Sequence, residues 1–384
     1  MGRVRIGIAG LGNMGTTHAR SLLAGKVERL ELTAVCDVGA AKLSQFPDVR
    51  GFTSAAAMIG SGVIDAVLIA TPHYSHTPIG IAALRAGLHV LVEKPISVHK
   101  ADCARLLAAH RNPAQVFAAM FNQRTDPYYR AIRSLVQGGE LGAIRRINWI
   151  VTDWFRSEAY YASSPWRATW AGEGGGVLLN QCPHNLDLLQ WIFGRPARVR
   201  AFCHFGRYHD IEVEDDVTAY LEFASGATAV FLASTGEAPG TNRLEIAADG
   251  GRIIYDGDRI EVLRNLVPAA EFSRTTTQSF ARPDTVGSTL APPDHGGQHN
   301  EILANFGAAI LDGAPLIAPA AEGIHSVELA NAMLMSAWRD RTVELPLNAR
   351  AYERRLQQRV AQSRFTKKTA PAATPEDFSR SFGR

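Results

Sequence analysis

The 384-residue chain is poor in cysteine: Cys36, Cys103, Cys182 and Cys203 lie far apart, with no C-x-x-C pair and no Cys/His pair at zinc spacing. That scarcity excludes a disulfide-stapled scaffold and a zinc module, and implies reduced thiols in a cytoplasmic protein. No apolar stretch approaches the roughly eighteen residues of a membrane helix. The start, MGRVRIGIAGLG, lacks a signal-peptide pattern, so neither anchor nor leader is expected. Charge is not in excess either. With 40 basic and 37 acidic residues the formal charge is +3, without the concentrated basic field that a nucleic acid requires, so no nucleic-acid partner is expected. What is plentiful is apolar residue, at 46%. The chain is too long for one ordinary core, which predicts two domains.

The first third alternates β-branched runs (VRIGIAG, LELTAVCD, DAVLIAT, HVLVEKP, AQVFAAMF) with helical patterns starting near Thr16 and His76. Continuously apolar strands separated by helices predict a parallel sheet covered on both faces, a doubly wound α/β domain over residues 1–123. From residue 144 the runs lengthen and alternate: AIRRINWIVTDWF, ARVRAFCHF, DDVTAYLEFASGATAVFLAST and RLEIAADGGRIIYD, joined by Ser-Gly and Asp-Gly-Gly turns. These predict an antiparallel sheet in an α+β domain over 124–347, braced by helices over Gln298–Leu311 and Pro319–Trp338. Residues 348–384 are polar and basic and read as a C-terminal arm or flexible tail.

The first chemical motif is GLGNMG, comprising Gly10, Gly12, Asn13, Met14 and Gly15 around Leu11, between an apolar strand and a helix. Glycines there permit a tight turn and close backbone approach, and the helix N-terminus then faces a dinucleotide pyrophosphate. Asp37, 22 residues past Gly15 at the end of the second strand, is placed to accept from ribose hydroxyls and to repel a 2′-phosphate. The expected cofactor is NAD rather than NADP.

Thr71, Pro72, Glu93, Lys94 and Pro95 fall at the carboxyl ends of two further strands, where ligands of open α/β sheets lie. A lysine fixed there by a following proline can hydrogen-bond a substrate oxygen, and desolvation can lower its pKa; a solvated strand-end charge is the alternative. His76 either caps a helix or lines the cofactor cleft, and His73 is expected to be exposed. Asn122 and Arg124, at the end of the first domain, are candidates to touch nicotinamide or substrate, with an interdomain salt bridge as the other use of Arg124.

The stretch GGGVLLNQCPHNLDLLQW sets Asn180, His184 and Asp187 at i, i+4 and i+7, with Pro183 as a kink or break. On one helical face an amide, an imidazole and a carboxylate would form the wall of a pocket for adjacent hydroxyls. TDWFRSEAYYASSPWRATW offers Trp154, Trp166 and Arg167 for the pocket mouth, since aromatic faces pack on apolar C–H surfaces; burial in a domain interface is the rival use. In DHGGQHN, His295 and His299 lack the framework of a zinc helix, so no metal is expected and His299 is a candidate to reach the substrate. Glu214 to Asp216 read as solvated turn charges.

Taken in order and separation, GLGNMG, EKP and GGGVLLNQCPHNLD resemble the glucose-fructose oxidoreductase, inositol dehydrogenase and MocA family of NAD(P)-dependent sugar and polyol dehydrogenases, over roughly residues 1–346. The resemblance implies a Rossmann domain followed by a large, open, mostly antiparallel sheet that often mediates dimerisation, with substrate between the two. It gives Lys94 and His184 the catalytic roles and makes Asp187 a carboxylate near substrate. It also exposes a departure: the aspartate of the family's D-x-x-x-H pair is Asn180 here, which can hold a hydroxyl but cannot accept its proton.

The reading that follows is a soluble homo-oligomer, dimer or tetramer, acting on a small-molecule sugar. A hydride passes between a secondary ring hydroxyl, C3 the position to expect, of a pyranose, glycoside or anhydrosugar and NAD. His184 is expected as base and Lys94 as the group polarising the oxygen, with the reverse assignment left open. Two other readings stand: an NAD-dependent glycosidase or lyase acting through a transient keto sugar, and a non-catalytic NAD-binding sugar sensor.

Overall fold

The computed structural model describes residues 2–369. Strands β1 (Val4–Ala9), β2 (Leu30–Cys36), β3 (Arg50–Phe52), β4 (Ala66–Ile69), β5 (His89–Val92) and β6 (Phe117–Ala119) form a parallel sheet in the order β3-β2-β1-β4-β5-β6. The order reverses between β1 and β4. Helices α1 (Asn13–Leu23), α2 (Ala40–Leu43), α3 (Ala55–Ile59), α4 (His73–Arg85) and α5 (Lys100–Ala109) supply the crossovers. Ile6, Ile8, Val67, Leu68, Val90 and Leu91 are fully buried, which is why these strands read as unbroken apolar runs.

The chain leaves this sheet through Asp126, whose carboxylate accepts from the Tyr128 amide and caps α6 (Pro127–Gln137) with Pro127 at its first position. The second domain adds β7 (Ile144–Val151), α7 (Glu158–Ala162), α8 (Pro183–Phe193), β8 (Pro196–Phe205), β9 (Glu214–Phe223), β10 (Thr228–Ser234), β11 (Asn242–Ala248), β12 (Gly251–Tyr255), β13 (Ile260–Asn265), α9 (Ala269–Thr275) and β14 (Thr285–Leu290). Then follow α10 (Gln298–Asp312), α11 (Gly323–Arg339), the short β15 (Val343–Glu344) and α12 (Ala349–Gln362). Nine strands form one sheet in the order β14-β13-β12-β11-β7-β10-β9-β8-β15, antiparallel except between β7 and β10. One face, carrying Ile147, Trp149, Val217, Leu221, Phe231 and Ile246, is buried. The other face alternates exposed Phe202 and Tyr220 with charged residues.

The two predicted sheets are present, and three details differ from expectation. Strands β13 and β14 extend the second sheet, and β14 is exposed along its whole length, so it carries no alternation to read. The first core is not confined to residues 1–123: Ile302, Leu303 and Phe306 of α10, with Ala318, Ala320 and Val327, pack into it. Residues 349–362 form α12, anchored by buried Tyr352 and Leu356, with Tyr352 stacked on Trp338; the arm is ordered helix where a flexible tail was the alternative. Residues 370–384 of that predicted tail lie outside the described residues.

Candidate active site

The loop from β1 to α1 has the shape of a dinucleotide cradle for stated steric reasons. Gly10 adopts φ +96, and a Cβ there would stand 2.6 Å from the Ala70 carbonyl oxygen. A Cβ on Gly15 would stand 1.8 Å from the Gly10 oxygen, so neither position tolerates a side chain. Gly12, by contrast, faces open space and caps α1 without any side-chain bond. The uncapped first turn, carrying Asn13 and Met14, therefore directs its amides at an opening, which fits a pyrophosphate.

Asp37 ends β2 and closes this cradle. Its carboxylate accepts from the Leu11 amide at 2.8 Å, the Gly39 amide at 2.8 Å and Lys42 Nζ at 3.1 Å. Burial pushes its pKa up, but the two amides and Lys42 outweigh that and hold it below the usual carboxylate range. Lys42 was not anticipated as its partner. Further along, Thr71 Oγ1, Asn122 Oδ1 and His184 Nδ1 are buried without hydrogen-bond partners. They stand at the ends of β4 and β6 and at the start of α8, where the amide and ring of a nicotinamide, together with a bound substrate, would meet polar groups needing satisfaction.

Glu93 and Lys94 follow β5. Glu93 Oε1 lies 2.7 Å from His18 Nε2, both side chains buried, and the His18 ring sits 5.5 Å from that of His299. His18 escaped the sequence reading, having no motif to mark it. Lys94 Nζ donates to the Asn180 carbonyl oxygen at 2.7 Å, which carries the ammonium from the first domain to the segment entering α8. Burial pushes the Lys94 pKa down; Glu93 and Glu173 pull it up, and Arg156 and Arg167 push it down further. His76 sits between the Pro95 oxygen at 2.9 Å and the Thr71 oxygen at 2.8 Å, bracing both strand ends. His73, expected to be exposed, is buried edge-on to Trp166 with ring centroids 5.5 Å apart, because the 166–173 loop covers the start of α4.

The predicted single helical face is divided in the structure. α8 starts at Pro183, which initiates the helix rather than kinking it, since a proline costs no hydrogen bond at the first position. Asn180 therefore lies in the preceding turn, and only His184 and Asp187 share the helix. His184 is buried edge-on to Phe121 at 6.1 Å, and burial, with the charge of Lys94 next, holds its pKa well below the usual value. That direction favours the neutral imidazole over the imidazolium. Asp187 is bound bidentately by Arg124, at 2.6 and 2.7 Å, with both side chains buried. Arg124 also meets Glu322 and the Ile317 carbonyl. The ion-pair use of Arg124 is thus the one observed.

The aromatic mouth is interleaved with cations. Arg167 lies over the Tyr160 and Trp166 rings at 4.4 and 4.8 Å, and Arg156 over Trp154 and Tyr160 at 5.4 and 5.0 Å. Tyr160 and Arg156 were not among the predicted residues. Tyr160 Oη donates to Asn180 Oδ1 at 3.3 Å and accepts from Arg167 at 2.6 Å. Glu173, just before the three glycines, was also missed. Its carboxylate accepts from Asn180 Nδ2 and, at 2.5 Å, from the Ala168 amide.

One of two charge clusters resolves differently from expectation. Glu214 and Asp215 are fully buried, not solvated. Glu214 accepts from the Gly176 and Leu178 amides at 2.8 and 3.1 Å, and Asp215 from the amides of Arg207, Tyr208 and His209. The buried carboxyl of Glu214 is pushed up to about 7, with burial the main cause. In DHGGQHN the polar groups diverge: His295 pairs with Asp126 at 2.8 Å, Asp294 caps the Gly296 amide, and Glu301 meets Arg130. Among the described residues no group of three or more His, Cys, Asp or Glu is arranged to hold a metal ion.

With the geometry in place, the chain can be compared with known proteins. Residues 4–121 match the oxidoreductase family with an NAD-binding Rossmann fold, and residues 129–254 match the GFO/IDH/MocA C-terminal domain. The myo-inositol 2-dehydrogenase of Thermotoga maritima is 26% identical over 268 residues, covering 67% of this chain and 76% of that protein. The 1,5-anhydro-D-fructose reductase of Ensifer adhaerens is 25% identical over 311 residues, 80% of this chain and 87% of that one. Among solved structures, the WlbA dehydrogenase of Chromobacterium violaceum, in complex with NADH and UDP-GlcNAcA, superposes with a TM-score of 0.78 at 26% identity, over 90% of this chain and 97% of that one. Its first domain is accordingly the NAD-binding Rossmann domain of an oxidoreductase, and the chain belongs to the Gfo/Idh/MocA family.

Proposed function

We propose that this protein is an NAD-dependent dehydrogenase that oxidises a secondary ring hydroxyl of a pyranose, glycoside or anhydrosugar, with C3 as the position to test first. The observation that carries the reading is the placement of Lys94 2.7 Å from the Asn180 carbonyl, so that an ammonium and the neutral imidazole of His184 share one cleft beside the dinucleotide cradle. Bound NAD+ supplies the acceptor for the hydride that leaves the carbinol carbon. His184 takes the hydroxyl proton. Lys94 donates to the same oxygen and stabilises the charge that develops there as the carbonyl forms.

In this reading Trp154 and Trp166 pack on the sugar ring, Arg167 forks exposed oxygens, and Asn122 and Thr71 face the nicotinamide amide. Asp187, bound by Arg124, is the carboxylate near substrate, one turn along α8 from His184. His299 shapes the cleft beside His18. The compounds for which those relatives are named, an inositol and an anhydrosugar, support a polyhydroxylated ring. Unpaired thiols at all four cysteines favour the cytoplasm. The open face of the second sheet, with exposed Phe202 and Tyr220, is where a second copy would pack in a homo-oligomer.

The test is a panel of D-glucose, methyl glucosides, levoglucosan and myo-inositol with NAD+, followed by NADH absorbance and product analysis. Stoichiometric NADH with a keto sugar supports the dehydrogenase. Release of methanol from a methyl glucoside without net NADH would point instead to the glycosidase reading, and binding of a panel sugar without any turnover to a sensor.

A further inference from the structure

Asn180 stands where the resemblance places the carboxylate of the catalytic pair, yet its side chain is not free for a sugar hydroxyl. Its Nδ2 donates to Glu173 Oε1, its Oδ1 accepts from Tyr160 Oη at 3.3 Å, and its main-chain oxygen receives Lys94 at 2.7 Å. The amide is oriented from both ends. An NH2 group can only donate, so Glu173 must accept there, and its other oxygen accepts from the Ala168 amide at 2.5 Å. Both oxygens of Glu173 thus accept N–H groups, as a carboxylate does. The group is buried, only 1% exposed, and burial pushes its pKa up while Arg167, the Ala168 amide, Asn180 and Lys94 pull it down.

We propose that Glu173 is the carboxylate of this site, a positioning residue that holds Asn180 in place and keeps Lys94 in its ammonium form, the carboxylate and amide having exchanged places relative to D-x-x-x-H relatives. The inference rests on the dehydrogenase reading of Lys94 and His184. It also decides between their roles: a carboxylate close to Lys94 favours the ammonium as donor to the substrate oxygen and leaves the neutral His184 as base.

The charges facing the pair are those of the surrounding elements. Around Glu173 stand Lys94 after β5, Arg167 in its own loop, Glu214 of β9 and Lys367 of the segment following α12. Around Lys94 stand Glu93, Arg156, Arg167, His73 and His76 of α4, His184 of α8 and His299 of α10. Glu173 and Glu93 are the two carboxylates that raise the Lys94 pKa, and Glu93 already holds His18.

The experiment measures the Lys94 pKa directly, by the pH dependence of its acetylation by acetic anhydride read from peptide masses. It is paired with pH profiles of NADH formation on whichever panel sugar turns over. Glu173→Gln should lower the Lys94 pKa by about one pH unit or more and move the Lys94-dependent limb of the profile the same way. The double variant Glu173→Gln/Asn180→Asp, with one carboxylate and one amide again in contact, should restore both to within about half a unit. An unmoved Lys94 pKa in Glu173→Gln, or no rescue by the exchange, overturns the proposal. If Glu173→Gln does not fold, recovery of a folded protein with the parent Lys94 pKa in the double variant supports the proposal, and failure of both overturns it. Lys94→Ala separates this from the underlying reading. Full turnover in that variant sinks the dehydrogenase assignment, whereas lost turnover together with an unshifted Glu173→Gln sinks only the role of Glu173.

Discussion

The carboxylate of Asp37 accepts the Leu11 amide at 2.8 Å, tying the end of β2 to the glycine loop that follows β1. The same group holds Lys42. Replacing it with alanine removes the proposed ribose acceptor and frees a cation in one step. Asp37→Ala is expected to lower kcat/KM with NAD+ and raise it with NADP+, narrowing the preference between them. Steady-state kinetics with both nucleotides check this, and tight NADP+ use by the parent protein would contradict it.

Lys94→Ala and His184→Ala should each cut turnover by about 10²- to 10⁴-fold, because acid–base help is realised in the transition state. NAD+ binding, followed by calorimetry, should change little. Equal losses in binding and rate would mean that these residues hold the cofactor rather than act on substrate.

Glu214 predicts a pH dependence of stability. With its folded pKa raised to about 7 above an ordinary unfolded value, its contribution is fully present below about pH 4.5 and is lost as the pH rises through 7. The loss amounts to roughly 3 kcal/mol. Glu214→Gln keeps an acceptor for the Gly176 and Leu178 amides and removes the titration, so the difference in Tm between parent and variant should move in the variant's favour between pH 5 and 8. A difference independent of pH would refute this.

Arg124→Ala should leave the Asp187 carboxylate buried without its bidentate partner, at a cost of about 3–5 kcal/mol in chemical denaturation. Arg124→Met with Asp187→Leu should recover much of that loss. Recovery of stability without recovery of activity would place the pair in the chemistry of the site rather than in folding alone.

Assembly is expected through the open face of the second sheet. Light scattering at micromolar concentration should give at least a dimer, and Phe202→Asp with Tyr220→Asp should shift it to monomer while leaving the Tm of the protomer nearly unchanged. A monomeric parent protein would rule the interface out.

The sheets were legible because their residues obey simple periodicities: Ile6, Ile8, Val67 and Leu68 are buried on both faces, and Val217, Ala219 and Leu221 alternate with exposed neighbours. Gly10 and Gly15 were legible because only glycine fits there. What sequence hid were the charges whose partners are distant. Glu173 among glycines looks like a loop charge, and Glu214 looks solvated until the Gly176 amide arrives from 38 residues away. The start of α8 at Pro183 was in plain sight, but apolar spacing drew Asn180 into the helix. In α12 the many arginines masked Tyr352 and Leu356, whose spacing of four is the signal of an apolar stripe.

The return of α10 into the first core has a consequence for how the molecule comes into being. Ile302, Leu303 and Phe306 fill places beside β1 and β2 that the first 123 residues alone leave open. During synthesis the nucleotide-binding half must therefore wait with unfilled sockets until nearly the whole second sheet has left the ribosome. A fragment cut at residue 123 is not a transplantable cassette, and a chimera that borrows a relative's cofactor half must borrow the matching face of α10 as well.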